Sequence, residues 1–230
     1  MNRFLLAAAL LPAVVLMIRV YRLDQIEKEP APLLFKLFLL GALFALPAAL
    51  IERLALRVLA CFVPSGTLAF VLLENFAVVA VTEELCKRLP VRLAAWNHPA
   101  FDYRFDAVVY CVFSALGFAA LENVLYVMQF GLSAAISRAL LSVPGHFFFA
   151  VYMGLYLGES RLAQRRGYEQ QALSLRRRGL LVPVLLHGFW DFSLSISTWQ
   201  MTAAFYLFVL IFFFRANQRL NRAAAEDTPF

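Results

Sequence analysis

The stretch "VVAVTEELCKRLPV", residues 78–91, joins an apolar run to a group of charges, and so marks where a membrane helix meets polar surroundings. Glu83 and Glu84 are adjacent, and Lys87 and Arg88 follow one helical turn later. On a helix Glu83 shares a face with Lys87, and Glu84 with Arg88, so both pairs are predicted to interact. Either the four charges anchor a helix end at the membrane surface, or the two carboxylates belong to an acid/base site.

The composition of the whole chain is that of an integral membrane protein. Of its 230 residues, 62% are hydrophobic and only 16% are charged, which excludes an ordinary soluble domain. No connection is long enough to fold separately, so we predict one all-α, polytopic helical bundle over residues 1–230, with about seven transmembrane helices. The predicted spans are Phe4–Arg19, Leu33–Ile51, Leu68–Cys86, Phe105–Phe130, Ser133–Gly158, Leu180–Ile196 and Met201–Phe214.

The net charge of +6 follows this topology and does not indicate nucleic-acid binding. Most Lys and Arg residues fall in the first, third and fifth connections and in the C-terminal tail, which the positive-inside rule places on the cytoplasmic side. We therefore predict a multi-pass cell-membrane protein, N-out and C-in, whose basic side faces anionic lipid headgroups of the bilayer. The fifth connection, residues 159–179, is the most basic and is predicted to be a solvated loop, with a lipid-facing amphipathic helix or a partner-binding arm as the alternatives.

Ionisable side chains inside apolar spans are costly, so each of them needs partners or a function. Glu122 lies deep in the fourth predicted span and His146 near the middle of the fifth, while His187 and Asp191 share one face of the sixth. With the paired glutamates, these residues offer carboxylates that can take a proton from water. They also offer imidazoles that can stabilise an oxyanion or protonate a leaving amine. The set predicts hydrolysis in a water-accessible cavity within the membrane.

Metal binding is an alternative at this point, because carboxylates and imidazoles are ligands that suit zinc. The possible ligands are Glu83, Glu122, His146 and His187. The chain has no H-E-x-x-H motif, and its three cysteines show no C-x-x-C spacing. A zincin-type site and a cysteine-held zinc are therefore not indicated.

Four motifs, in order, resemble the PrsW family of intramembrane proteases. "EELCK" at residues 83–87 is similar to its E-E-x-x-K motif, and "FDAVVYCVFSALGFAALENVLYV" at 105–127 to its most specific stretch. "GHFFFAVYMG" at 145–154 resembles the third motif, and "HGFWDF" at 187–192 the fourth, H-x-x-x-D/N. The set spans residues 79–192, about half of the chain. One departure is Ala107, where the family pattern leads us to expect Gly.

The resemblance implies a bundle with a core like that of the CAAX-processing proteases, placed here at about residues 68–196. It implies a peptidase in which a Glu activates water and histidines assist, so we expect glutamic-type catalysis without a required cofactor, and zinc as the alternative. The residues matching catalytic positions are Glu83, Glu84, Glu122, His146, His187 and Asp191, with Lys87, Asn123 and Asp106 in supporting positions. The expected substrate is a membrane protein, such as a single-span anti-sigma factor cut at site 1, in a bacterial inner membrane.

Two other functions use the same residues. A non-catalytic scaffold of this superfamily would keep the Glu and His groups paired and sealed, whereas a transporter or ion pathway would line a passage with them. A peptidase should bring both histidines and at least one of Glu83, Glu84 and Glu122 to a shared cavity. On the predicted topology we expect that cavity to open to the cytoplasmic half.

Overall fold

The computed structural model describes residues 3–230, and every named element in that range is helical. The α-helices are α1 (Arg3–Leu23), α2 (Ala31–Phe62), α3 (Leu68–Leu72), α4 (Ala80–Pro90), α5 (Asp106–Phe130), α6 (Leu132–Ser137), α7 (Val143–Arg165), α8 (Glu169–Ser195) and α9 (Trp199–Ala225). Of three π-helical segments, Leu73–Val79 joins α3 to α4 and Arg138–Ser142 joins α6 to α7 without a break, while Val91–Ala95 extends α4. The predicted all-α membrane bundle is confirmed.

Five continuous helical runs among the described residues are long and apolar enough to cross a membrane. They are Arg3–Leu23, Ala31–Phe62, Asp106–Phe130, Leu132–Arg165 and Trp199–Ala225. The other two predicted spans correspond to the run from α3 through α4 and to α8, which carry more charge. These two polar helical runs contain the Glu83–Glu84 pair and His187.

Helix α5 forms the centre of the bundle, and most of its side chains are buried. It packs most extensively against α2 and α7, and these contacts depend on glycine. A Cβ at Gly117 would collide with the carbonyl oxygen of Phe38, and one at Gly41 with the carbonyl oxygen of Ser114. The α2 and α5 backbones therefore touch directly, as membrane helices do where small residues line the interface.

The third connection and the C-terminal tail meet at one end of the bundle. Arg104 N–H donates to the Thr228 carbonyl at 3.2 Å, and the Phe230 ring lies 5.2 Å from that of Phe101. One prediction for this end is wrong. Residues 159–179 are not a loop, because α7 extends to Arg165 and α8 begins at Glu169. A helical turn satisfies backbone groups internally, so the chain remains helical on leaving the apolar layer.

Replacing Gly117 or Gly41 with Ala is expected to separate α2 from α5 and lower the free energy of unfolding by about 1–3 kcal/mol, the usual cost of overpacking. Thermal unfolding of the purified protein in mild detergent measures this change. Gly145→Ala is the control, because its Cβ would meet the Trp190 ring at an ordinary 3.4 Å. Equal melting temperatures for all three variants would contradict direct backbone contact.

Candidate active site

Four helices bring the candidate residues into one buried polar cluster. Helix α4 contributes three members, α5 and α7 one each, and α8 two. The polar cluster consists of Glu83, Glu84, Lys87, Glu122, His146, His187 and Asp191. The expectation of a shared site is met closely: His187 Nε2 lies 3.8 Å from Glu83 Oε2, and the two imidazole rings are 5.6 Å apart.

Lys87 is the centre of the polar cluster and is almost fully buried. Its ammonium lies 2.9 Å from Glu83 Oε2, 2.8 Å from Glu84 Oε1 and 2.8 Å from His146 Nδ1. These contacts engage the three protons of the ammonium, and the Phe118 ring lies beneath it at 4.9 Å. Lys87 is therefore not a surface anchor, and it holds two adjacent carboxylates together inside the bundle.

The protonation of His146 follows from its neighbours. An ammonium only donates hydrogen bonds, so Nδ1 of His146 accepts from Lys87 and carries no proton. A neutral ring then has its proton on Nε2, which lies 3.1 Å from Glu122 Oε2. Lys87 thus selects the tautomer that points a donor at Glu122.

His187 is held between two carboxylates. Its Nδ1 lies 2.9 Å from Glu84 Oε1, and its Nε2 lies 3.1 Å from Asp191 Oδ2, one turn later on α8. The Phe149 ring stacks against the imidazole at 5.1 Å and fixes its plane. Both nitrogens can donate at once only when the ring carries both protons, so the surroundings favour an imidazolium.

One predicted pair does not form. Arg88 does not reach Glu84; its Nη1 donates to the Arg176 carbonyl at 3.1 Å. Glu84 is completely buried and bonded to Lys87 and His187, which lie on the inner side of α4. Arg88 lies one helical turn beyond Glu84 toward the end of the bundle, and its side chain reaches the α8 backbone instead of the polar cluster.

Glu83 and Glu84 differ in their access to a cavity. A cavity of about 1250 Å³ is lined by Glu83, Glu122, His146, His187 and Asp191, but not by Glu84. It continues past residues 75, 126, 137 and 195 toward the connections 63–67, 131 and 196–198. That end is opposite the basic connections, so the predicted N-out, C-in orientation and the predicted opening to the cytoplasmic half are not compatible with each other.

Two further charged residues at this cavity were missed by the sequence patterns. Arg138, in a π-helical segment, lies 2.9 Å from Glu122 Oε2 and donates from Nε to Asn123 Oδ1 at 3.0 Å. Glu52 of α2 also lines the cavity, and its buried Oε1 has no hydrogen-bond partner among residues 3–230. The sequence did contain a signal for Arg138, because this charged residue falls inside a predicted span. The signal for Glu52 was weak, since Glu52 follows directly after a predicted span.

The supporting residues take different positions. Asn123 donates to the Ala9 carbonyl at 2.6 Å and accepts from Arg138, so it joins α1 to the cavity wall. Asp106 is not brought to the site, since it begins α5, about 24 Å along the helix from Glu122. Its carboxylate accepts from the backbone N–H groups of Asp102 and Tyr103 at 3.0 and 2.7 Å. Its position orders the third connection.

The donors that suit a metal form a smaller set than predicted. One ligand atom each of Glu83, Glu122 and His146 lies within 4.8 Å of the others. Carboxylate oxygen and imidazole nitrogen are zinc ligands, so these three residues fit a cation. His187 does not join this set, because its nitrogens face Glu84 and Asp191.

Comparison with known proteins gives one consistent result. The family model described as "PrsW family intramembrane metalloprotease" matches residues 29–216. "Protease PrsW" of Geobacillus kaustophilus (strain HTA426) is 34% identical over 227 residues, 98% of this chain and 94% of that protein. "Protease PrsW" of Bacillus subtilis (strain 168) is 33% identical over 196 residues, 85% of each chain. No solved structure matches at a comparable level.

Replacing Lys87 with Met would leave Glu83 and Glu84 buried side by side without a cation. We expect the free energy of unfolding to fall by about 3–5 kcal/mol, as when one partner of a buried ion pair is removed. Unfolding in detergent, followed by circular dichroism, measures the loss. Arg222→Met, which breaks an exposed pair with Glu226, should change little. A Lys87→Met variant as stable as the natural chain would show that the carboxylates need no cation.

Proposed function

The chain belongs to the PrsW family of intramembrane proteases, and from that premise we propose that Glu83 is the general base of a glutamic-type endopeptidase. The observation that carries this proposal is the contrast between two adjacent acids. Glu83 lines the cavity and lies 3.8 Å from His187, whereas Glu84 has no exposed side-chain surface. Only Glu83 can meet both a water molecule and a peptide that enter from the cavity.

In the proposed reaction Glu83 takes a proton from a water molecule in the cavity, and the hydroxide attacks the peptide carbonyl carbon. The imidazolium of His187, held between Glu84 and Asp191, stabilises the developing oxyanion through its positive charge. The tetrahedral intermediate collapses as the C–N bond breaks, and the proton taken by Glu83 passes to the leaving amine. Asp191 orients His187 from one side, and Glu84 orients it from the other.

The second half of the polar cluster positions the water. Glu122 is held by Arg138 and faces the Nε2 proton of His146, so its second oxygen can accept from a water beside Glu83. His146 holds Glu122 in place for this task through its Nε2 proton. Residues 68–196 contain these groups and form the proposed catalytic core, with Glu52 contributed from outside it.

The proposed substrate is a single-span membrane protein, of which an anti-sigma factor is one example, in a bacterial inner membrane. The cavity supports a cut in the outer half of the bilayer, given the N-out, C-in orientation that the basic connections favour. A peptide can approach between the helix ends near residues 75, 137 and 195, which border the cavity. A sealed scaffold would not leave Glu83 and both histidines beside such a space.

A metal would be held by Glu83, Glu122 and His146. When bound there, zinc would act as a Lewis acid and lower the pKa of a bound water. The Lys87 ammonium contacts Glu83 and His146, and its positive charge repels a second cation bound beside it, which favours the metal-free arrangement.

Conversion of Glu83 to Gln is expected to slow cleavage about 10²–10⁴-fold, because a carboxamide cannot take a proton from water. The assay uses purified full-length protein in proteoliposomes with a tagged single-span peptide. Glu84→Gln and His187→Ala should also lose activity. Glu74→Gln is the matched control, since it makes the same change on the same helical run away from the cavity. Full activity in all three site variants would contradict the proposed peptidase site.

Chelation of divalent metals is expected to leave the cleavage rate unchanged, because the proposed base is a carboxylate and not a metal-bound water. The same assay with a strong chelator, followed by added zinc, measures this. Loss of activity on chelation and recovery with zinc would replace the glutamic-type proposal with the metal-dependent one.

A further inference from the structure

A second cavity, at the opposite end of the bundle, is surrounded by arginine. It has a volume of about 800 Å³ and lies between the end of α4, the third connection, α7 and α8. Three arginines, Arg88, Arg92 and Arg176, line it together with Trp96 and Asn97. No residue of the polar cluster lines this cavity, so it is separate from the proposed peptidase site.

No carboxylate of residues 3–230 pairs with the arginines around this cavity. Arg161 lies next to it, with its guanidinium over the Trp96 ring at 5.3 Å. Among residues 3–230, none of Arg88, Arg92, Arg161 and Arg176 forms an ion pair with a carboxylate. The buried Nε of Arg161 also has no hydrogen-bond partner in the described part of the chain. Four like charges this close repel one another, which an anion would relieve.

The arginines are held in place by neutral groups. Arg176 donates from Nε to Ser160 Oγ at 3.3 Å and from Nη2 to Gln164, and its guanidinium lies over the Trp96 ring at 4.9 Å. Arg88 is fixed by its bond to the Arg176 carbonyl. Guanidinium groups ordered in advance lose little freedom when they bind an anion, and their planar forks match phosphate oxygens.

The volume and the location of the cavity restrict the class of ligand that it can bind. The cavity, about 800 Å³ including the solvent at its mouth, is large enough for a phosphate ester. It lies at the basic end of the bundle, which the positive-inside rule assigns to the cytoplasmic surface, where anionic lipid headgroups are concentrated. Buried Val91 and Leu157 give the cavity an apolar wall.

We propose that the cavity formed by Arg88, Arg92, Trp96 and Arg176 is a binding site for a phosphate monoester or diester, as carried by an anionic phospholipid headgroup or by a soluble phosphate. The anion joins the end of α4 to α8 through Arg88, Arg92 and Arg176. These are the helices whose Glu84 and His187 meet in the polar cluster. Occupancy therefore stabilises the pairing of α4 with α8.

The test measures thermal unfolding of the purified full-length protein, which does not depend on catalysis. In detergent at constant ionic strength, phosphatidylglycerol is expected to raise the melting temperature by about 3 °C or more over phosphatidylcholine. Inorganic phosphate and glycerol 3-phosphate, titrated against chloride, form the second arm. A saturable shift with lipid alone identifies a headgroup, and one with the soluble anions identifies a free phosphate; either supports the site.

Variants distinguish anion binding in this cavity from a general attraction of anions to a basic surface. Arg92→Gln and Arg176→Gln should weaken the apparent affinity for the anion at least tenfold. Arg92 is exposed, so its replacement does not threaten folding. Arg177→Gln and Arg178→Gln are the controls, because they remove the same charge from exposed positions of α8, the helix of Arg176. Their apparent affinity for the anion should stay within twofold of that of the natural chain.

Two results would overturn the proposal. One is the absence of a saturable shift with any of the phosphate compounds. The other is an equal loss of affinity in the Arg92, Arg177 and Arg178 variants, which would mean that net surface charge, and not this cavity, attracts the anion.

Discussion

The ammonium of Lys87, bonded to Glu83, Glu84 and His146, is the interaction on which the rest of the structure depends. Two adjacent carboxylates on one helix cannot both stay charged in an apolar interior without a cation. Lys87 supplies that cation from the same helix and offsets one of the two negative charges before any other helix packs against α4. The imidazolium of His187, which α8 brings to Glu84, offsets the other.

This arrangement explains how charge is distributed among the helices. The helical runs that contain α4 and α8 are more polar than a membrane-spanning helix usually is, and they pack against each other. Long apolar helices, α1, α2 and α9, expose large hydrophobic side chains to the surroundings. The two polar helical runs turn their charged side chains inward and expose apolar ones such as Leu85 and Leu185, as intramembrane polar residues require.

Most of the fold and the membership of the site could be predicted from sequence, because both depend on residue type and order. Apolar runs gave the spans, and ionisable residues within them gave the polar cluster. The partners could not be predicted where they depend on helix rotation: Glu84 pairs with His187 and Lys87, not with Arg88. The direction of the cavity depends on how helix ends diverge, and Glu52 lies on a helix that no motif marks.

The π-helical segments beside the site have a consequence for how this sequence can evolve. Each accommodates one residue more per turn than the regular helix, and Arg138–Ser142 lies directly before His146 on the same continuous run. Regular α-helical winding over the same number of residues would turn Arg138 around the helix axis relative to His146. Glu122 could then no longer meet both side chains. Homologous chains should therefore either keep this segment π-helical or have one residue fewer in it.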